Sequence, residues 1–195
     1  MIRRLRPLTV LTITMILLAI SASVNAVQAR RIHVLLSANP SVSKLIGQTG
    51  SPLVGFSTSG QPRQEQFVQA SLPTVVYYFS RSCKWCELNW PAVQALADAG
   101  DARFRLLAVT SDRGLTDYIA SHHLTVDILE GLSEESRAKY EFSGTPRTVV
   151  VSSEGLITHE WLGIFGQRTQ RQIEELFAVS LPRIEVPTDR QPSRK

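Results

Sequence analysis

The stretch "PTVVYYFSRSCKWCELNWP", residues 73–91, decides how the rest of this 195-residue chain is read. From Thr74 to Phe79 every residue is β-branched or aromatic, without strict polar alternation, which suits a central strand buried on both faces. From Lys84 to Ala99 the pattern changes. Trp85, Leu88, Ala92, Val93 and Leu96 recur at three- and four-residue steps, predicting a helix with one apolar stripe. Pro91 removes an intrahelical hydrogen bond and predicts a kink in that helix. The only two cysteines, Cys83 and Cys86, fall where strand gives way to helix.

Working outward, "SPLVGFSTSGQ" (51–61) reads as a strand and a tight Ser-Gly turn, the first half of a hairpin. "QEQFVQA" (64–70) reads as one or two helical turns. "FRLLAV" (104–109) predicts the next strand, residues 115–121 a helix, and "VDIL" (126–129) a short strand. "SEESRAKY" (133–140) predicts a helix opened by Ser133. "RTVVV" (147–151) and "LITHEWLG" (156–163) are strands joined by a turn at "SSEG", and residues 168–179 form an amphipathic helix. The alternation of strands and helices, closed by a hairpin and a helix, predicts an α/β domain with a mixed central sheet and helices on both faces. Cys83 and Cys86 then sit at a strand's carboxyl end, where open α/β sheets place their sites.

The net charge of +4 invites a nucleic-acid partner, but its distribution argues against one. Residues 1–26 carry three arginines and no acid, and residues 181–195 hold four basic and two acidic residues. The middle of the chain is near −1, so the basic character belongs to the ends. "MIRRLRP" followed by "LTVLTITMILLAI" and "SASVNA" has the form of a signal peptide cleaved after Ala26. The competing expectation is a retained inner-membrane anchor, since Leu8–Val27 is uncharged and about one membrane span long. Either places the globular part in the periplasm or another exported compartment, where disulfides persist. Residues 27–44 read as a lead segment with a short strand at 32–36, residues 45–180 as the domain, and the proline-bearing 181–195 as a disordered tail.

Three roles compete for the cysteine pair. As a staple it closes a very short loop, and chain-entropy stabilisation grows with loop length, so little is gained. As a structural zinc site it supplies two of four ligands, and His33, His122, His123 and His159 show no matching spacing. A soft ion such as Cu(I), satisfied by two thiolates, stays open. As a redox reagent the pair fits the local physics best. The helix amino terminus favours a thiolate at Cys83, Lys84 adds positive charge, and Cys86 one turn inside becomes the resolving thiol. Trp85 either packs as a hydrophobe at the helix start, or shields the sulfurs and helps form a docking surface.

With "CKWC" and "NWP", "LIGQTGSPLVGFSTSGQ" (45–61), "GTPRTVVV" (144–151) and "SSEGLITHEWLG" (152–163) in this order, the chain resembles the thioredoxin superfamily, and within it the exported TlpA/ResA-like thiol–disulfide oxidoreductases. The resemblance runs from about Leu45 to Phe177. It implies a thioredoxin-like fold with an added N-terminal hairpin, Cys83 as nucleophile and Cys86 as resolving cysteine. It also implies a cis-proline at Pro146 beside the disulfide, and Thr145 offering backbone groups to a substrate peptide, though a plain loop threonine would look the same. The implied activity is dithiol–disulfide exchange without a bound cofactor or metal. The likeness favours a reductant, whereas Lys84 beside Cys83 favours the reduced form of the pair and so an oxidant. The implied partners are disulfide-bearing envelope proteins and a membrane thiol donor for re-reduction. The alternative is a copper-binding or substrate-binding module of the same fold without turnover. Three positions depart from the pattern. Asn89 stands where members serving cytochrome c maturation usually carry glutamate, and Tyr77 where cytosolic thioredoxins carry a buried aspartate. Ser82 also replaces the tryptophan that precedes the first cysteine in thioredoxins.

Overall fold

The computed structural model describes residues 43–184 apart from 69, 101 and 102, together with isolated positions between 15 and 28. The leader or anchor at 1–26 is covered only at those isolated positions. The strand expected at 32–36 and the tail beyond 184 lie outside the described residues. Among the described residues no helix is long and apolar enough to cross a membrane.

The strand expected in the opening stretch is β3, Thr74–Phe79, and all six of its residues are buried. It lies at the centre of a five-stranded sheet. On one side it pairs in parallel with β4 (Arg105–Thr110), which pairs in parallel with β5 (Asp127–Leu129). On the other it pairs antiparallel with β6 (Arg147–Val151), which pairs antiparallel with β7 (Ile157–Leu162). This is the mixed sheet the sequence predicts. Val75, Tyr77 and Phe79 point into one core with Trp90, Val93, Leu96, Ile173 and Phe177. Val76 and Tyr78 point into a second core with Leu45, Leu53, Phe67, Tyr140 and Phe142. Two buried faces leave no polar side to alternate with, hence the unbroken apolar run.

Helix α1, Lys84–Gly100, contains Pro91 without ending there, and it buries Cys86, Asn89, Trp90, Val93 and Leu96 at helical spacing. Helices α2 (Thr116–Ser121) and α3 (Glu134–Lys139) are short, and α4 spans Gln167–Phe177. Ser133 caps α3, its hydroxyl oxygen accepting from the Ser136 amide at 3.2 Å. Packing continues past α4. Leu181 is buried, its amide donates to the Glu174 carboxylate at 2.9 Å, and Ile184 rests on the first core, so packed chain extends beyond residue 180.

The segment after the first hairpin strand corrects an expectation. Residues 64–70 do not open a helix, because Gln64 and Glu65 belong to β2 (Pro62–Glu65), paired antiparallel with β1 (Leu53–Phe56). Cross-strand pairing of Leu53 with Glu65 outweighs the weak local helical pattern. The hairpin is fastened to the main body at both ends. Gly55 lets it approach closely, since a Cβ there would lie 2.6 Å from the Glu130 carbonyl oxygen. Val54 accepts from the Ser133 amide, and its own amide donates to the Ser136 hydroxyl.

At the other end Arg63 donates to both Asp127 oxygens at 2.6 and 2.7 Å and to Glu65 at 2.5 Å, while Arg105 donates to Glu65 at 2.7 Å. Desolvation alone would raise the Asp127 pKa, but Arg63 and then Arg105 outweigh it and hold the carboxyl below its ordinary value. A depressed folded-state pKa contributes stability that is present above the unfolded value and lost as pH falls through the folded one. Asp127→Asn will therefore flatten the loss of stability below about pH 4. Urea midpoints measured from pH 7 down to pH 3 test this, and wild-type and variant curves that stay parallel throughout would contradict it.

Candidate active site

Strand β3 ends at Phe79, and four residues later the chain turns into α1. The Cys83 amide donates to the Ser80 carbonyl at 3.1 Å, closing this turn. Cys83 thereby occupies the position just before the helix, and it is joined to Cys86 by a disulfide with a Cα–Cα distance of 5.2 Å. The two sulfurs have unequal surroundings. Cys83 is half-buried, whereas Cys86 is fully buried in the first core. The backbone N–H of Cys86 points at the Cys83 Sγ, 3.1 Å away. This is the geometry of a helix N-cap, with sulfur in the place of an oxygen acceptor. Peptide N–H groups and the dipole at a helix amino terminus favour an anion.

Lys84 and Trp85 are exposed in the first turn, the indole about half so (49%). Trp85 takes part in none of the aromatic pairs that bind Tyr77, Phe79 and Trp90 together. Its half-exposed ring fits both readings of this residue, a hydrophobe packed at the helix start and part of a docking surface.

Pro146 is buried and follows a cis peptide bond from Thr145, as the resemblance implies. The antiparallel pairing of Tyr78 with Arg147 places Pro146 one residue further along, at the end of β3 from which the cysteine turn departs. The Pro146 carbonyl accepts from the Gly163 amide at 2.8 Å. Thr145 is half-buried beside it.

Asn89 connects these parts. It is fully buried, its Oδ1 accepts from the Phe165 amide at 2.9 Å, and its Nδ2 donates to the Gly163 carbonyl at 3.5 Å. Helix α1, the loop after β7 and the cis-proline are thus linked through one neutral side chain. Tyr77 lies against the same turn, its hydroxyl donating to the Cys86 carbonyl at 3.4 Å. Burial pushes the Tyr77 phenol well above its ordinary pKa, against a hydrogen bond from Asn89, so it stays protonated. The two positions where the family pattern has acids therefore hold neutral, hydrogen-bonding groups. Asn89→Leu will leave the buried Phe165 amide unpaired and cost about 1–3 kcal/mol. Urea denaturation checks this, an unchanged midpoint being the contrary result.

Among the described residues no three His, Cys, Asp or Glu side chains are placed to hold a metal ion. His122 closes α2, its Nδ1 3.0 Å from the Tyr118 carbonyl oxygen, and His159 stacks on Trp161. Both serve local structure. The sequence offered no direct sign of the parts played by Gly163 and Phe165, because they act through backbone groups. The glycine after "EWL", which the structure places at φ +81°, was the one available signal.

No protein-family model and no curated protein matches the sequence. Solved structures do match in fold. The thioredoxin domain of a thiol-disulfide oxidoreductase from Bacteroides vulgatus superposes with a TM-score of 0.59 at 19% identity, over 69% of this chain and 99% of that one. A secreted disulfide oxidoreductase from Mycobacterium tuberculosis, homologous to E. coli DsbE, matches with a TM-score of 0.53 at 18% identity, over 64% and 93%. A thioredoxin-family thiol:disulfide interchange protein from Chlorobium tepidum matches with a TM-score of 0.53 at 14% identity, over 67% and 95%. The chain has the thioredoxin-like fold.

Proposed function

We propose, from the thioredoxin-like fold and the unequal exposure of its two cysteines, that this chain is an exported thiol–disulfide oxidoreductase that acts as a reductant. The observation that carries the proposal is the half-buried Cys83 sulfur receiving a helix amide while Cys86 is sealed behind it. The Cys83 thiolate attacks one sulfur of a substrate disulfide, forming a mixed disulfide and releasing the other substrate sulfur as a thiolate. Cys86 loses its proton and attacks Cys83, re-forming the Cys83–Cys86 bond and releasing the second substrate thiol. Two electrons pass to the substrate. The oxidised pair is returned to the dithiol by exchange with a membrane thiol donor, and no bound cofactor takes part.

Envelope proteins with disulfides are the proposed substrates, supported by the leader-like first 26 residues and by the secreted M. tuberculosis protein of the same fold. The exposed Trp85 and the backbone at Thr145 form the proposed docking surface for them. Neutral Asn89 does not fit the acid usual in members that serve cytochrome c maturation, and general envelope clients suit the site better. The purified protein should catalyse reduction of insulin disulfides by a dithiol. Cu(I) binding measured in parallel covers the alternative, and tight stoichiometric copper binding without catalysed reduction would replace the redox role with a copper-holding one.

A further inference from the structure

Arg147 is a charged residue in an unusual place. It opens β6 directly after the cis-proline, and its side chain is only 8% exposed. Its guanidinium is shared between two elements. Nε and Nη2 meet the carboxylate of Glu160, a side chain on β7 that is itself 4% exposed. Nη1 donates to the backbone carbonyl of Glu141, and Nη2 lies 3.6 Å from the Glu141 carboxylate.

Glu141 follows Tyr140, the residue that caps the end of α3. Its φ of +51° turns the chain into the four residues that lead to Pro146, and its carbonyl also accepts from the Ser143 amide at 2.7 Å. β7 continues two residues past Glu160 to Leu162, and Gly163 then holds the Pro146 carbonyl. Arg147 thus grips the loop before the cis-proline at its first residue, and grips through Glu160 the strand that holds the loop at its last. A buried ion pair is a costly way to stabilise a sheet, since apolar residues of similar volume often do as well. What an apolar pair cannot do is hold the Glu141 carbonyl.

We infer that Arg147 is a positioning residue for the substrate-docking loop 141–146, fixing the Thr145 backbone for an incoming peptide without touching the sulfur chemistry. The inference rests on the oxidoreductase function proposed above. It separates substrates by size. A polypeptide disulfide that pairs with the Thr145 backbone depends on the clasp, and a small disulfide that reaches only Cys83 does not.

The test compares second-order rates of reduction of insulin and of hydroxyethyl disulfide by the pre-reduced protein. Three proteins are used: wild type, Arg147→Met, and Arg147→Met combined with Glu160→Leu. Melting temperatures are recorded for all three. The double variant removes the unpaired buried carboxylate, so it keeps the question open to measurement if Arg147→Met alone folds poorly. Both variants are expected to reduce insulin about tenfold or more slowly, with the hydroxyethyl disulfide rate within about twofold of wild type. Equal losses with both substrates would overturn the inference, and so would full recovery of the insulin rate in the double variant. A wild-type protein that reduces neither disulfide would remove the oxidoreductase function and the inference with it, an outcome distinct from either variant result.

Discussion

Cys83→Ser will reduce insulin no faster than the dithiol alone, a loss of at least about 10³-fold. Serine keeps the shape and can still accept the Cys86 amide, so the variant removes the nucleophile and little else. Cys86 cannot take over. It is fully buried in the first core beside Tyr77 and Trp90, one turn inside α1, where no substrate sulfur can approach in line. Loss of the disulfide has a small effect on folding, because a loop of this length gives about 2 kcal/mol at most on the chain-entropy relation. Oxidised wild type should therefore be more stable than Cys83→Ser by no more than about this amount, as melting curves of the two will show. Activity near wild type in the variant would show that Cys83 is not the attacking sulfur.

Trp90→Ala will cost about 3–5 kcal/mol, the largest stability loss expected from a single side chain near the site. Trp90 is 4% exposed and lies edge-on to Tyr77 and Phe79, with ring centroids at 5.4 and 4.9 Å. Its Nε1 donates to the Tyr118 hydroxyl at 2.9 Å, which ties α1 to α2 across the same core. Alanine removes the ring, opens a cavity among three aromatic neighbours and leaves that hydroxyl with one partner fewer. A domain of this size has a total stability of about 5–15 kcal/mol, so the loss is a large share of it. Trp90→Phe keeps most of the burial and should cost less than half as much. Urea denaturation of both variants tests the pair, and a Trp90→Ala loss below about 1 kcal/mol would contradict the packing described.

The centre of the fold was legible because its physics is local. β3 is buried on both faces, and its composition says so without help from any partner. The cap at Ser133 is likewise written within a few residues, and so is the later half of the α1 stripe at Ala92, Val93 and Leu96. Its first half is not, because Trp85 is exposed, Leu88 half-buried, and Cys86, Asn89 and Trp90 take the buried face. β2 was not legible, because "PRQE" is a polar edge strand whose burial comes from Leu53 across the hairpin and from ion pairs to Asp127, more than sixty residues away. The cysteine pair announced the site, and the family resemblance supplied the cis-proline. The groups around them were harder to foresee. Asn89 could be seen to lack a charge, but its role comes from backbone groups after β7. Arg147 at the start of a strand looks like a solvent-facing charge until Glu160 and Glu141 close over it.

The most direct test of the central claim is the Cys86→Ser variant expressed with its own N-terminus, trapped by acid and alkylation, and analysed by mass spectrometry. Attack by Cys83 without resolution should accumulate mixed disulfides, each linking Cys83 to a cysteine of an exported protein. Absence of such adducts in Cys86→Ser, or their equal appearance in Cys83→Ser, would contradict the assignment of Cys83 as the nucleophile and Cys86 as the resolving thiol.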